Sequence, residues 1–304
     1  MDGVAAPLVG APGPAVSGAG EDGPTARIAG RPFYKLTGSG NDFVFFDERA
    51  LRPNDAAAAL RTPEMIAAVC DRRNGIGADG VVFLEAATAA EVRIAYYNRD
   101  GSRAALCGNA TLCTARLAAV LGAIDDPTAP FVVATDAGRI EARIAATGDP
   151  VIALGPVRDL APSAPGTVPL AGERAIGYAL VGVPHLVVLV DDVDQIALDE
   201  RGAELRAATA ERPDGANVNW VSRVGSRWRM RTFERGVEGE TLACGTGAVA
   251  AGTLIACWTG ASGSIVLVTS SGRPVEVTPS ADASGTALLA GEGRLVFWGD
   301  LDAL

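Results

Sequence analysis

The chain has 304 residues, enough for one large domain or two of ordinary size with a well-buried core. Its 48% apolar and 20% charged residues are a globular composition, and its net charge of −10 argues against general nucleic-acid or anionic-membrane partners, which select basic surfaces. No run of about 18 apolar residues argues for a transmembrane helix. The five cysteines, Cys70, Cys107, Cys113, Cys244 and Cys257, are odd in number, which fits reduced cytosolic thiols better than a disulfide framework. They form no Cys-x-x-Cys pair and His185 is the one histidine, so no metal site is expected.

In chain order, residues 1–30 are rich in Ala, Pro and Gly without periodicity or a basic leader, and are expected to be a disordered extension. "PFYKLTGSGNDFVFFDE" reads as strand, Gly-rich turn, strand. "TPEMIAAVCDRR" reads as a helix capped by Thr62, with Pro63 in its first turn. "NGIGADGVVFLEA" and "AEVRIAYYNRDGS" are strands, the second ending in an Asp-Gly turn. The first Cys-Gly motif, "ALCGNATLCTARLAA", then opens a helix running to about Leu121, and "APFVVATDAGRIEARIA" reads as a hairpin. The second half repeats this grammar. "PVIALGPV", "ERAIGYALVGVPHLVVLVDD", "GANVNWVSRV" and "RWRMRTFERGV" are strand-rich, "ETLACGTGAVAAG" opens a second helix, and "SIVLVTSSGRPVEVTPS" and "GRLVFWGDL" close the chain as strands. The two Cys-Gly motifs lie about half the ordered chain apart, which predicts an internal duplication of two α+β lobes. The expected lobes are 31–150 plus 290–304, and 151–289.

Cys107-Gly108-Asn109 and Cys244-Gly245-Thr246 each stand at the start of a helical run. First-turn amides have no intrahelical partner and, with the helix dipole, favour an anion. Glycine lets a ligand approach the backbone closely, and the same field favours a thiolate. Each motif therefore offers a reactive thiol beside a hole sized for a carboxylate. Two such motifs facing across a cleft would hold an α-carboxylate with its α-carbon between two thiols, one taking the α-proton and the other returning a proton to the opposite face. The amides would stabilise the charge that develops on the carboxylate. Cys70, Cys113 and Cys257, in apolar helical stretches with no adjacent glycine, read as buried small hydrophobes.

On "TGSGNDFVFFD", "CDRRNGIGADGVV", "YYNRDGS", "CGNATLC", "GVPHLVV", "GANVNWV", "FERGVEGETLACGTGA" and "GRLVFWGDL", in that order, the chain resembles the diaminopimelate epimerases, cofactor-independent two-cysteine enzymes, from about Pro32 to Leu301. The resemblance implies an α+β fold of two pseudo-symmetric lobes, each a strand-rich sheet around a central helix, with the active site in the cleft between them. It implies epimerisation of LL- to meso-diaminopimelate, a precursor of lysine and peptidoglycan, without a cofactor or metal, in the cytoplasm. It makes Cys107 and Cys244 the catalytic thiols. Gly108 with Asn109 and Gly245 with Thr246 then hold the reacting carboxylate, and Asn41 is a further active-site asparagine. Asn98, Asn217, Glu234 and Arg235 hold the non-reacting end, where the Arg235 fork suits a carboxylate and Glu234 an ammonium. His185, in "GVPHLVV", takes a supporting role. The expected partner is a small amino acid, with no nucleic acid or membrane, and a homodimer is left open.

Three features depart from the family pattern. Val183 replaces its asparagine before Pro-His, removing a distal hydrogen bond where an unpaired polar group costs about 1–3 kcal/mol. Thr111 and Leu112 alter the start of the first helix. The segment between Glu234-Arg235 and Cys244 carries one residue more than usual. These departures keep open a racemase of another amino acid, such as histidine or another basic one, on the same scaffold. A thiol-redox or metal-binding protein would need close-set cysteines or extra histidines, which the sequence does not supply; a degenerate binding protein would not need its intact thiols.

Overall fold

A computed structural model describes residues 30–50, 60–207, 212–280 and 285–302. Apart from Gly30, the N-terminal extension expected from composition lies outside the described residues. The chain forms two units. The first comprises the described residues up to Val151 together with those from Glu292 onward, and the second is Ile152–Gly291.

In the first unit, β1 (Arg31–Gly38) and β2 (Asn41–Asp47) form a hairpin across Ser39-Gly40. The chain then crosses through α1 (Pro63–Cys70) to β3 (Gly80–Thr88), which runs parallel to β2. Thr62 caps α1, its hydroxyl accepting from the Met65 amide, and Pro63 fills the first turn. β3 turns into β4 (Glu91–Asn98), followed by the two-residue β5 (Arg103–Ala104), the helix α2 (Gly108–Val120), and the hairpin of β6 (Phe131–Thr135) with β7 (Gly138–Ile144). β6 lies parallel to β4, and the final strand of the chain, β18 (Arg294–Leu301), pairs antiparallel with β1. Strands reading "FVFF" and "VVFL" are apolar at successive positions because both faces are covered. α1 packs with Val44, Phe46, Val81 and Phe83 on one face, while α2 touches β1, β4, β6, β7 and β18. α2 is buried almost all round, which its Gly, Ala, Thr and Cys side chains permit. The buried hydroxyls of Thr111 and Thr114 are satisfied by the carbonyls of Cys107 and Ala110 one turn back.

The second unit repeats the plan. After β8 (Pro150–Leu154) and β9 (Arg158–Ala161), β10 (Glu173–Val181) and β11 (Val183–Val190) form a hairpin through Gly182. A single 3-10 turn (Val193–Gln195) and α3 (Leu198–Arg206) lead to β12 (Asn217–Val224), parallel to β11. β12 pairs antiparallel with β13 (Arg227–Glu234), and the short β14 (Gly239–Thr241) precedes α4 (Gly245–Thr259). β15 (Ile265–Val268) runs parallel to β13 and continues into β16 (Pro274–Thr278) and β17 (Ala287–Gly291). α4 touches β10, β11, β12, β15, β16 and β17. It ends at Gly260 in the left-handed region (φ 66°), the amide of which caps Ala256.

The strand registers make the duplication residue-specific. The hairpin pairings Gly38 with Asn41 and Val181 with Val183 set Asn41 and Val183 at equivalent places. Phe43 beside Gly80 matches His185 beside Asn217, and Asn98 at the end of β4 matches Glu234 at the end of β13. Two elements differ from the sequence expectation. The helix at "TPEMIAAVCDRR" stops at Cys70, and residues 198–206 form a helix that no local signal announces. Cys257 corrects the reading of it as a buried hydrophobe: it is exposed, on the outer side of α4.

Candidate active site

Cys107 is the N-cap of α2 in extended conformation (φ −137°, ψ 117°), and Cys244 is the N-cap of α4 in nearly the same one (φ −131°, ψ 110°). Neither uses its side chain for a cap hydrogen bond. The helical bonds begin with the amides of Thr111 and Ala248, which reach the carbonyls of Cys107 and Cys244. The amides of Gly108, Asn109 and Ala110, and of Gly245, Thr246 and Gly247, therefore face out of the helix starts, where the dipole favours an anion. Cys244 is buried and Cys107 half-buried, and no described cysteine is in a disulfide.

Around Cys107 the polar residues form a chain. Asn109 is buried and directs its amide nitrogen to Asn41 Oδ1 (2.7 Å), while Asn41 Nδ2 donates to Asp79 (3.0 Å). Asp79 accepts from Arg72 at 2.8 Å, and Arg72 also grips Asp42 with both nitrogens (3.0 and 2.7 Å). Burial works to raise the Asp42 carboxyl, but hydrogen bonds from Arg72 and Lys35 outweigh it and hold the group at about 2. The asparagine amides are thus oriented by a fixed charge network. The buried Tyr96 hydroxyl stands against the Cys107 thiol as a hydrogen-bond partner; burial first, then the sulfur, pushes its ionisation up. Asn98 lies in the Asp-Gly turn, its Nδ2 donating to Ser102 Oγ at 3.0 Å.

Around Cys244 the chain is different. Its sulfur lies 3.6 Å from Thr246 Oγ1, which is 3.1 Å from His185 Nε2. His185 is fully buried and faces Asn219 Nδ2 through Nδ1 (3.3 Å). Burial, with the positive field of Arg235, lowers the imidazole to about 3, so the ring is neutral at working pH. Asn217 is buried and accepts the Arg235 amide on Oδ1 (2.9 Å), while the Arg235 guanidinium donates to the Asp214 carbonyl (2.9 Å). Burial raises the Glu234 carboxyl, a group that would gain from a cation. Val183 is half-buried at the start of β11, in the place that Asn41 occupies in the first unit.

The first unit thus brings Asn41, Gly108 and Asn109 to Cys107, and the second brings His185, Gly245 and Thr246 to Cys244. Glu234 and Asn217 sit on adjoining strands of the second unit, with Arg235 beside them. Sequence reasoning missed Asp79, Tyr96, Asn219 and Thr232. Asn219 had a signal, since it lies two positions after Asn217 on a strand and so shares its face; Tyr96, an aromatic residue in an apolar strand, had none. The turn after Glu234 is one residue longer than the turn after Asn98, with Glu238 in the left-handed region at φ 57°.

The fold is shared with solved proteins that include amino-acid epimerases and racemases. A solved phenazine biosynthesis protein of the PhzF family from Bacillus anthracis matches with a TM-score of 0.67 at 14% identity, over 89% of this chain and 98% of that one. A hydroxyproline epimerase from Agrobacterium vitis, solved with trans-4-hydroxy-L-proline, matches with a TM-score of 0.58 at 16% identity, over 90% and 93%. The family model described as diaminopimelate epimerase matches residues 33–159 and 177–296. The diaminopimelate epimerase of Gemmatimonas aurantiaca is 49% identical over 90% of this chain and 99% of its own length. The chain belongs to the diaminopimelate epimerase family.

Proposed function

We propose that this chain is an isomerase that interconverts LL- and meso-diaminopimelate by a two-base mechanism, in the cytoplasm. The observation that carries the reading is the placement of Cys107 and Cys244 at identical N-cap positions of two duplicated helices. One sulfur, as thiolate, takes the α-proton, and the electron pair of the broken C–H bond moves toward the carboxylate. The other thiol then gives its proton to the opposite face of the carbon. The two sulfurs exchange protonation states and the configuration inverts.

The outward amides of the two helix starts, at Gly108 and Asn109 and at Gly245 and Thr246, are suited to bind the α-carboxylate most tightly as negative charge grows on it. Asn41 supports this end by fixing Asn109. Asn98, Asn217, Glu234 and Arg235 are assigned to the far end of the substrate. Arg235 supplies a fork for its carboxylate, and the desolvated Glu234 carboxyl gains from its ammonium. Val183 removes one polar contact at this end. His185, buried and neutral, acts through hydrogen bonds rather than charge.

Deuterium wash-in from heavy water tests the reading, with LL- and meso-diaminopimelate beside histidine and lysine. The expected result is α-deuteration and interconversion of the diaminopimelate isomers. Exchange with histidine or lysine and none with diaminopimelate would overturn it.

A further inference from the structure

The contacts on Cys244 have a direction. Asn219 is fully buried, and its Nδ2 reaches both the Leu186 carbonyl (3.1 Å) and His185 Nδ1 (3.3 Å), while its Oδ1 accepts the Thr232 hydroxyl (3.0 Å). Turning the amide over would set its oxygen against the Leu186 carbonyl, two acceptors facing each other, so this orientation is fixed. A nitrogen that donates to Nδ1 requires Nδ1 to be unprotonated, and the single proton of the neutral ring then sits on Nε2. Nε2 faces Thr246 Oγ1 at 3.1 Å, and its one N–H is shared between that oxygen and the Val181 backbone carbonyl. Thr246 Oγ1 therefore accepts from the imidazole, which leaves its own proton to point at Cys244 Sγ, 3.6 Å away.

We infer that Thr246, oriented by His185 and Asn219, donates its hydroxyl proton to Cys244 Sγ and holds that sulfur as the thiolate. Thr232, Asn219 and His185 are positioning residues, each acting on the next, and the inference rests on the two-base reading for its catalytic meaning. The glycine after Thr246 belongs to the same device. A Cβ at Gly247 would stand 2.4 Å from Asn219 Oδ1 and 3.2 Å from Cys244 Sγ, so any side chain there would displace the asparagine that sets the relay. The first unit lacks this arrangement: Asn109, at the place of Thr246, turns its amide to Asn41. The charged group that acts on His185 is Arg235, whose field favours the neutral ring.

Iodoacetamide alkylation of the full chain across pH, quantified for each cysteine peptide, reads the thiolate without any substrate. Exposed Cys257 serves as the reference within the same molecule. Thr246→Val keeps the backbone amide and the shape but removes the hydroxyl. It should move Cys244 alkylation to higher pH and slow it about tenfold at neutral pH, the size expected for a lost hydrogen bond to a charged group; Thr246→Ser should restore it. Asn219→Asp should do the same with Thr246 intact. An aspartate draws the ring proton to Nδ1, and Nε2 then takes the threonine proton from the sulfur. An unmoved Cys244 profile in Thr246→Val, or a parent-like profile in Asn219→Asp, would overturn the relay. Failure of the parent chain to exchange diaminopimelate would instead defeat the proposed activity and leave these profiles readable.

Discussion

Cysteine is a poor helix cap, and at Cys107 and Cys244 the side chain makes no cap bond while the amides behind it point outward. That arrangement is suited to a ligand and not to helix stability. Cys107→Ala and Cys244→Ala should each lower kcat for epimerisation by about a thousandfold, the scale of a lost acid or base. At most, each variant should keep deuterium exchange from one stereoisomer. Full turnover in either would refute the two-thiol mechanism. Val183 gives a residue-scale prediction of opposite sign. Val183→Asn should restore a polar contact to the substrate's far end and lower KM for diaminopimelate about tenfold, worth about 1.4 kcal/mol, with kcat little changed. A KM that stays level or rises would remove position 183 from substrate recognition.

At the scale of elements, α1 was legible because Thr62 and Pro63 announce it, and α2 and α4 because their Cys-Gly starts precede long apolar runs. α3 was not. Its N-cap is Ala197, without a capping side chain, and Gly202 in its middle weakens helix propensity by about 1 kcal/mol. The packing explains the glycine: a Cβ at Gly202 would lie 2.5 Å from the Phe233 ring. Gly202→Ala should therefore destabilise the protein by about 1–3 kcal/mol through overpacking, although alanine is the better helix former. Urea denaturation checks the sign, and a more stable variant would show that helix propensity outweighs the contact.

For the whole molecule, acid stability is set by several groups with separable windows. The unfolded chain's His185 takes up a proton near pH 6.5, which the buried native ring refuses until about 3. Its contribution is therefore full above pH 6.5 and falls as pH drops toward 3, by up to about 1.4 kcal/mol per pH unit. Asp42 is held down at about 2 by Arg72 and Lys35 against its burial, so its contribution is lost lower, from about 3.8 to about 2. Glu173 and Glu240, lowered despite burial by Arg201 and Arg231 respectively, add their losses below about 4.5. Between pH 6.5 and 5 His185 is the group that lowers stability as pH falls. Melting temperature should fall across that interval in the parent and less steeply in His185→Gln; Glu234, raised by burial, acts in the opposite sense as pH falls, and does so in both proteins. Parallel slopes would show that His185 titrates normally. Among the described residues, no helix is long and apolar enough to cross a membrane.

The repeated Cys-Gly pair, the strand grammar around each copy, and hence the family with its two-thiol chemistry were legible along the chain alone. These are local patterns: a glycine next to a cysteine, a cap before an apolar run, alternation along a strand. The surroundings of each sulfur came only with packing. Asn109 meets Asn41 across 68 positions of the chain, and His185 meets Thr246 across 61. No periodicity records such a contact, because it depends on which strand lies beside which helix start. The fixed orientation of Asn219, the ring proton it assigns to His185 Nε2, and the hydroxyl thereby turned toward Cys244 exist only once β11, β12, β13 and α4 are packed together.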